Sequence, residues 1–318
     1  MNVEIITGNS MKVKEFSPPN KLKTPVLFLV FNRLDTTIQV FESIRKAKPP
    51  RLYIASDGAR ETVVGEFEKV KEIRDYLISN IDWKCEVKTL YRDNNLGCKY
   101  AVSSAIDWFF DNEEMGIILE DDCLPSQSFF WYCEELLIRY ENDLRIWHIS
   151  GNNFNKKKYN KYSYSFSRSI HIWGWATWRD RWSKYDVKIK DFKYFDENKI
   201  IKDIYDSKKN QNHWYLIFKN VHEGLIDTWD YQWVFTSWVN SGISIFPKHN
   251  LVTNIGFGPE ATHTKNIKSK DSKIPFNELF FPLMHPKFLI IDSKVEKTLE
   301  PKFGILKNFF SKLKSLLR

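Results

Sequence analysis

From Pro25 onward the chain alternates between short, continuously apolar runs and longer stretches whose apolar positions fall three and four residues apart. These are the signatures of buried strands and amphipathic helices. Strands are predicted at 26–31 (VLFLVF), 51–56 (RLYIAS), 85–91 (CEVKTLY), 116–120 (GIILE) and 145–151 (RIWHISG), and helices at 36–47, 61–80, 97–110 and 126–142, the last opened by Pro125. Strict alternation of this kind predicts an α/β fold, its sheet mostly parallel and covered by helices on both faces. Past Gly151 the rhythm changes. Residues 152–167 read as a polar loop or short hairpin, 171–182 is the Trp-dense HIWGWATWRDRW, a helical stretch covers 198–222, another helix lies near DYQWVFTSWVNSG, and short strands fall at 243–247 and 251–255. The expected organisation is an N-terminal extension (1–23), a regular first half (24–150), a smaller α+β second half (151–292) and a tail (293–318). Within the tail, Ile305, Leu306, Phe309, Phe310, Leu313, Leu316 and Leu317 lie at helical spacing against Lys307, Lys312, Lys314 and Arg318. A basic amphipathic helix of this kind suits an anionic membrane surface or a docking partner.

Composition narrows the picture. The 318 residues are 42% hydrophobic, enough for a real core, and the formal net charge is +8. That surplus admits nucleic acid, anionic lipid or a phosphorylated substrate. Basic residues are dispersed except in the tail, where they are interleaved with Leu and Phe, which favours lipid; no nucleic-acid partner is expected. The N-terminus has no sustained apolar region and the longest apolar run is far too short to cross a bilayer, so the expectation is a cytoplasmic protein, able to sit peripherally on the inner face of the membrane. Cys85, Cys98, Cys123 and Cys133 show no CxxC spacing and are expected as free thiols, with Cys123 as core filler. Aromatic content is 16%, including 12 Trp. Such rings either fill a core or stack on the apolar face of a sugar, and both readings stay open for Trp173, Trp175, Trp178 and Trp182.

The chemistry concentrates in GIILEDDCLP, where a buried strand ends in Glu120, Asp121 and Asp122. Ligands of parallel α/β sheets bind beyond the C-terminal strand ends. Adjacent carboxylates repel, and are tolerated in water, at a helix N-terminus or around a cation. One reading has Asp121 and Asp122 complementing the dipole of the next helix; the other has them around Mn²⁺ or Mg²⁺, which takes one or two carboxylates, waters and phosphate oxygens. The second implies a diphosphate ligand. Elsewhere Arg33 can pair with Asp35, Asp57 lies in an ordinary turn sequence, Asp230 can cap a helix, and His148 reads as a satisfied core histidine. The histidines show no H-x-E or H-x₃-H arrangement, so zinc is not expected.

ILEDDCLPSQSFFWY resembles the metal-binding segment of inverting GT-A glycosyltransferases of the N-acetylglucosaminyltransferase I type. PVLFLVFNRLDTTIQVFESI, YIASDGA, GWATWRDRW, TWDYQW and IFPKHNLVTNIGFGPEATHT are similar to further motifs of that family in the same order, over roughly residues 25–265. The resemblance implies a GT-A, Rossmann-like mixed sheet and a transferase that moves a hexosyl or N-acetylhexosaminyl group, with inversion, from a nucleotide-diphosphate donor, expected to be a UDP-sugar. The implied acceptor is a saccharide or lipid-linked glycan in surface polysaccharide or glycan synthesis. It also implies residue roles: Asp122 as ligand of Mn²⁺ or Mg²⁺; Glu120 and Asp121 on the nucleotide side; Arg33 and Asp57 as uracil or ribose contacts; Thr262 and His263 in the loop touching the diphosphate; Asp230 as general base. Trp173, Trp175 and Trp229 are candidates for an acceptor platform. The chain departs from the family pattern at Asp230-Tyr231-Gln232-Trp233, where two adjacent Asp are expected. A nucleotidyltransferase of similar fold is a rival reading, although VFNRLDTT lacks a glycine-rich triphosphate loop. A non-catalytic carbohydrate-binding protein is another, which leaves the three carboxylates unexplained.

Overall fold

The computed structural model describes residues 16–154, 161–257 and 274–299. In the first half, β1 (Val26–Val30), α1 (Leu34–Ala47), β2 (Arg51–Ser56), α2 (Glu66–Ser79), β3 (Glu86–Tyr91), α3 (Gly97–Asn112) and β4 (Met115–Glu120) follow the predicted order. A short β5 (Cys123–Pro125), α4 (Gln127–Arg139) and β6 (Ile146–Ser150) come next. The second half contributes β7 (Tyr164–Ser167), β8 (Trp175–Trp178), four helices α5 (Arg179–Trp182), α6 (Phe192–Glu197), α7 (Ile201–Ile204) and α8 (Lys208–His222), then α9 (Asp230–Val239), β9 (Ile243–Pro247), β10 (Val252–Asn254) and α10 (Ser293–Leu299).

Eight strands form one sheet in the order β3-β2-β1-β4-β8-β6-β9-β7. The first four are mutually parallel, β8 runs antiparallel between β4 and β6, β9 is parallel to β6, and β7 closes the edge antiparallel to β9. This is the mixed α/β class expected from the sequence, mostly parallel in its first half. β1 shows why its run reads as continuous apolar: Val26, Phe28 and Val30 pack with α1, α2 and α4 on one face, and Leu27 and Leu29 pack with α3 on the other. A strand covered on both sides has no polar face to alternate. A third cluster, from Ile189 to Trp238, holds α6 to α9 together.

Three expectations are corrected. The Trp-dense segment contains a central strand, β8, whose register pairs Ile118 of β4 with Trp175. The single helix expected over 198–222 is divided: α7 stops at Ile204, and Tyr205 adopts an extended backbone before α8 begins. The helix expected from 61 starts at Glu66, because Gly65 takes a left-handed conformation (φ 78°) that breaks the run. One element had no counterpart in the periodicity: β5 pairs with β10, the strand expected at 251–255, in a separate antiparallel ribbon that sets Cys123 opposite Asn254. Among the described residues no helix is long and apolar enough to cross a membrane. The basic stretch 303–318 lies outside the described residues.

Candidate active site

Glu120 is the last residue of β4, level with Leu29 of β1, so the three carboxylates emerge beside the point where β1 hands over to α1. The turn at Asp121 and Asp122 is held from two sides. Phe31, just past β1, donates its backbone N–H to Asp121 Oδ2 at 3.3 Å. Ile255, just past β10, donates its own to the Asp122 carbonyl at 2.8 Å. The ribbon of β5 and β10 therefore carries residues 255–257 directly over Asp122.

Arg33 is the cation acting on this cluster. Its Nη2 pairs with Asp121 Oδ1 and with Asp122 Oδ2, the latter at 3.0 Å, so one guanidinium bridges both carboxylates. Neither the local pair with Asp35 nor an exposed role describes it. Its backbone is fixed as well, because the Arg33 carbonyl accepts from Thr37 N–H at 3.1 Å and Thr37 Oγ1 at 2.6 Å in the first turn of α1. Asp121 has both oxygens committed to protein donors. Asp122 also accepts a weak bond from the Cys123 thiol, 3.4 Å from its Oδ1.

Among the described residues, this one arginine does not balance the charge. Burial pushes the Glu120 carboxyl well above its ordinary range, Asp122, Asp121 and Asp230 push it further, and Arg33 opposes them. Burial likewise raises Asp121 to about 6, although Arg33 works against it. Asp122, Glu120, Asp227 and Asp230 all act on the half-buried Cys98 thiol, whose pKa is driven up first by burial and then by these charges. That thiol is protonated and unreactive at neutral pH. Five carboxylates, Glu120, Asp121, Asp122, Asp227 and Asp230, and one thiol thus act on one another from the end of β4, the start of α3 and the approach to α9.

Such a surplus of hard oxygen donors fits a divalent cation. Among the described residues no three His, Cys, Asp or Glu side chains converge closely enough to enclose a metal by themselves. Any ion here would be held by one or two carboxylates and would take the rest of its shell from water or ligand oxygens.

Asp230 is the first residue of α9, and its Oδ1 accepts from Thr228 Oγ1. What positions it is aromatic. Trp229 stacks on Trp175 with centroids 5.7 Å apart and planes at 19°, and Trp182 and Trp233 pack around the pair. Because Trp175 is registered to Ile118, two residues before Glu120, the stack ties the start of α9 to the end of β4. This corrects the platform expectation for two of its three members. Trp175 and Trp229 are 0% and 1% exposed, so neither offers a surface to a sugar. Trp173 remains half-buried, edge-on to Phe154 and Phe257.

Asp57 is buried, and both its oxygens accept backbone N–H bonds from Leu96 and Gly97 at 3.0–3.1 Å. Its observed work is to fix the start of α3 rather than to present a carboxylate outward. Thr262 and His263 lie outside the described residues. His148 is the core histidine expected: Nε2 donates to the His171 carbonyl at 2.9 Å and Nδ1 accepts from Trp233 Nε1 at 3.2 Å, and burial lowers its pKa to about 3. All four cysteines are free.

Two site residues escaped the sequence reading. Asp227 is exposed, with Oδ2 in ordinary contact range of the space beside Gly97, and the DTWD spacing was the available signal. Gly256 was the other: a Cβ there would overlap Asp122 Oδ2 and Arg33 Nη1 and stand 2.6 Å from Asp122 Cβ. A separate cleft of about 600 Å³ lies by Arg168, Tyr194, Trp238 and Ile243. Ile243 begins β9, so this cleft opens at the N-terminal ends of the parallel strands, away from the carboxylates.

Glu66 braces the Arg33 loop from behind. It is buried, accepts from Asn32 Nδ2 at 2.8 Å and from Arg60 N–H and Nε at 2.7 and 2.8 Å, and the Arg60 bond is the main reason its pKa falls to about 2. A folded-state pKa below the unfolded value gives stability that is present above about pH 4.5 and lost as pH falls through about 2. Glu66→Gln is expected to cost about 1–2 kcal/mol at pH 7, after discounting for the exposure of Arg60, and to converge with the wild type in acid. Urea unfolding of both proteins from pH 7 to 2.5 checks this. Asp121, with its raised pKa, has the opposite sign and cancels in the difference.

No protein-family model matches the chain. No curated protein matches it either. Solved structures do show partial likeness. Mannosyltransferase PcManGT from Pyrobaculum calidifontis, in complex with GDP-Man and Mn²⁺, aligns at a TM-score of 0.34 and 12% identity over 51% of this chain and 46% of its own. HddC from Yersinia pseudotuberculosis aligns at 0.30 and 11% over 49% of this chain and 77% of its own. The apo-form glycosyltransferase GlyE of Streptococcus pneumoniae TIGR4 aligns at 0.33 and 10% over 70% of this chain and 44% of its own. The chain thus spans less than half the length of the first and third.

Proposed function

We propose that the protein is a metal-dependent inverting glycosyltransferase that moves a sugar from a nucleoside-diphosphate donor to a saccharide or lipid-linked acceptor hydroxyl. The observation that carries this reading is the convergence of Asp122, bridged by Arg33, with Asp230 at the C-terminal end of β4. Asp122 is the proposed ligand of Mn²⁺ or Mg²⁺, since its Oδ1 carries only the weak thiol bond from Cys123, whereas Asp121 has both oxygens engaged by Phe31 and Arg33. A bound divalent ion supplies charge neutralisation for the departing diphosphate. Arg33 adds fixed positive charge beside the same leaving group. Asp230 takes the proton of the acceptor hydroxyl onto a carboxylate oxygen as that hydroxyl oxygen bonds to the anomeric carbon and the carbon–diphosphate bond breaks on the opposite face. The Trp175–Trp229 stack holds Asp230 in place without contacting substrate, and Trp173 is the remaining candidate for contact with acceptor. An N-acetylhexosaminyl or hexosyl donor with uridine, synthesis of a surface glycan, and an anionic membrane partner for 303–318 are the finer parts of the proposal, supported by the sequence resemblance and the tail pattern.

Thermal unfolding with Mn²⁺ and a panel of UDP- and GDP-sugars tests it. Stabilisation is expected only when metal and nucleotide sugar are both present, reaching about 2.7 kcal/mol at a hundredfold excess over Kd. Metal-independent stabilisation by free saccharides indicates a carbohydrate-binding protein instead. Pyrophosphate release from a nucleoside triphosphate and a sugar phosphate indicates a nucleotidyltransferase.

A further inference from the structure

Arg33 occupies a position that the metal reading leaves unexplained. It touches Asp122 Oδ2, an oxygen of the carboxylate proposed to bind the ion, and the same Nη2 also grips Asp121 Oδ1. A carboxylate oxygen cannot serve a guanidinium and a divalent cation at once without bringing two positive centres together. Building on the proposed metal role of Asp122, we propose that Arg33 is a stand-in cation. It neutralises Asp122 in the free protein, gives that carboxylate up when a divalent ion arrives with a diphosphate, and stays anchored through Asp121 with its freed N–H groups turned to the phosphate oxygens.

Three features support the exchange. First, Nη2 carries two N–H groups, so it can release Asp122 and keep Asp121, which Phe31 N–H holds in addition. Second, Arg33 can turn from Asp122 with its backbone unmoved, because its carbonyl is locked into the first turn of α1 and only the side chain must shift. Third, residue 256 is glycine where a Cβ would overlap both Asp122 Oδ2 and Arg33 Nη1. The backbone there is pinned by Gly256 N–H on Asn254 Oδ1 at 2.9 Å and by Ile255 N–H on the Asp122 carbonyl, so a side chain at 256 presses on the ion pair. The atoms in the way include Asp122 Cβ as well as two side-chain ends, so such a substitution shifts the Asp122 turn together with the ion pair.

The consequence is that the free protein disfavours bare metal and accepts it with a diphosphate, whose oxygens both complete the ion's shell and give Arg33 a new partner. Mn²⁺ binding, followed by the electron paramagnetic resonance signal of the free ion, tests this with Mn²⁺ alone and with Mn²⁺ plus UDP or GDP. Arg33→Gln is expected to bind Mn²⁺ alone about tenfold more tightly than the wild type, which corresponds to removing about 1.4 kcal/mol of competition. The same variant binds Mn²⁺ plus nucleotide more weakly. Arg33→Lys keeps the charge and is expected to keep the weak binding of Mn²⁺ alone. Gly256→Ala is expected to weaken Mn²⁺–UDP binding about tenfold. Should Arg33→Gln bind Mn²⁺ alone no better than the wild type while the wild type still binds Mn²⁺ with nucleotide, the stand-in role is wrong and the metal role of Asp122 survives. If neither protein binds Mn²⁺ under any condition, both fall.

Discussion

Asp122→Ala is expected to abolish Mn²⁺-dependent binding of nucleoside diphosphate and to lower turnover about a thousandfold or more, while leaving the fold intact. The size follows from losing the anchor for the charge that stabilises the leaving group, an electrostatic contribution of several kcal/mol. The intact fold follows from the local electrostatics. Asp122 is a leading source of repulsion on Glu120 and also repels Asp121, so its removal relieves charge strain, and Arg33 keeps its contact with Asp121. The metal-free variant should therefore unfold at the wild-type temperature or above it. Asp121→Ala makes the contrasting case. It strips the partner of Phe31 N–H and the main anchor of Arg33, and is expected to lower metal-free stability as well as function. Calorimetric titration with Mn²⁺ and UDP, run beside thermal unfolding of both variants, separates the two carboxylates. Equal loss of stability in both would mean that Asp122 is structural, and retained metal-dependent binding in Asp122→Ala would remove it from the metal site.

The difference between these neighbours was not available from the string EDD. What could be read was where the charge goes, because β1 and β4 are covered on both faces and such strands are continuous apolar runs in any context. What could not be read depends on partners far along the chain. Arg33 chooses Asp121, 88 residues away, over Asp35 two residues away, because β1 and β4 are adjacent and the β1–α1 loop points at the end of β4. Asp57 sits in an unremarkable turn sequence, yet its oxygens are consumed by amides 39 and 40 residues downstream. The strand at Trp175–Trp178 exists because a slot lies open between β4 and β6, and four residues with two indoles carry no periodicity that announces it. The same holds for β5, the three-residue partner of the expected strand β10, whose pairing brings Gly256 over Asp122. Trp175 and Trp229 show the ambiguity of aromatic residues most plainly. Their place at the site is real, but they act by packing, holding the first residue of α9 against the end of β4.

That packing gives the second large effect its clean form. Asp230→Asn is nearly isosteric, and the new side-chain carbonyl can still accept from Thr228 Oγ1, so the aromatic stack and the start of α9 have no reason to move. What is lost is a group that can take a proton. Turnover is expected to fall about 10²–10⁴-fold, the usual contribution of a positioned general base, with donor binding unchanged or slightly tighter because one of the charges repelling Glu120 has gone. Single-turnover transfer measured beside Mn²⁺–nucleotide affinity distinguishes this from a binding defect. The control is Asp227→Asn, three residues upstream, exposed and acting on the same Cys98 thiol. If Asp230 is the base, Asp227→Asn retains most of its turnover. If Asp230→Asn stays active and Asp227→Asn does not, the proton acceptor lies on the loop ahead of α9, and the family-like spacing at TWDYQW points to the helix start for structural reasons only. Trp229→Phe then decides what the stack contributes: with Asp230 as base, loosening the ring pair lowers turnover while leaving metal and nucleotide affinity alone, because the stack reaches the donor carboxylates only through the position of that one aspartate.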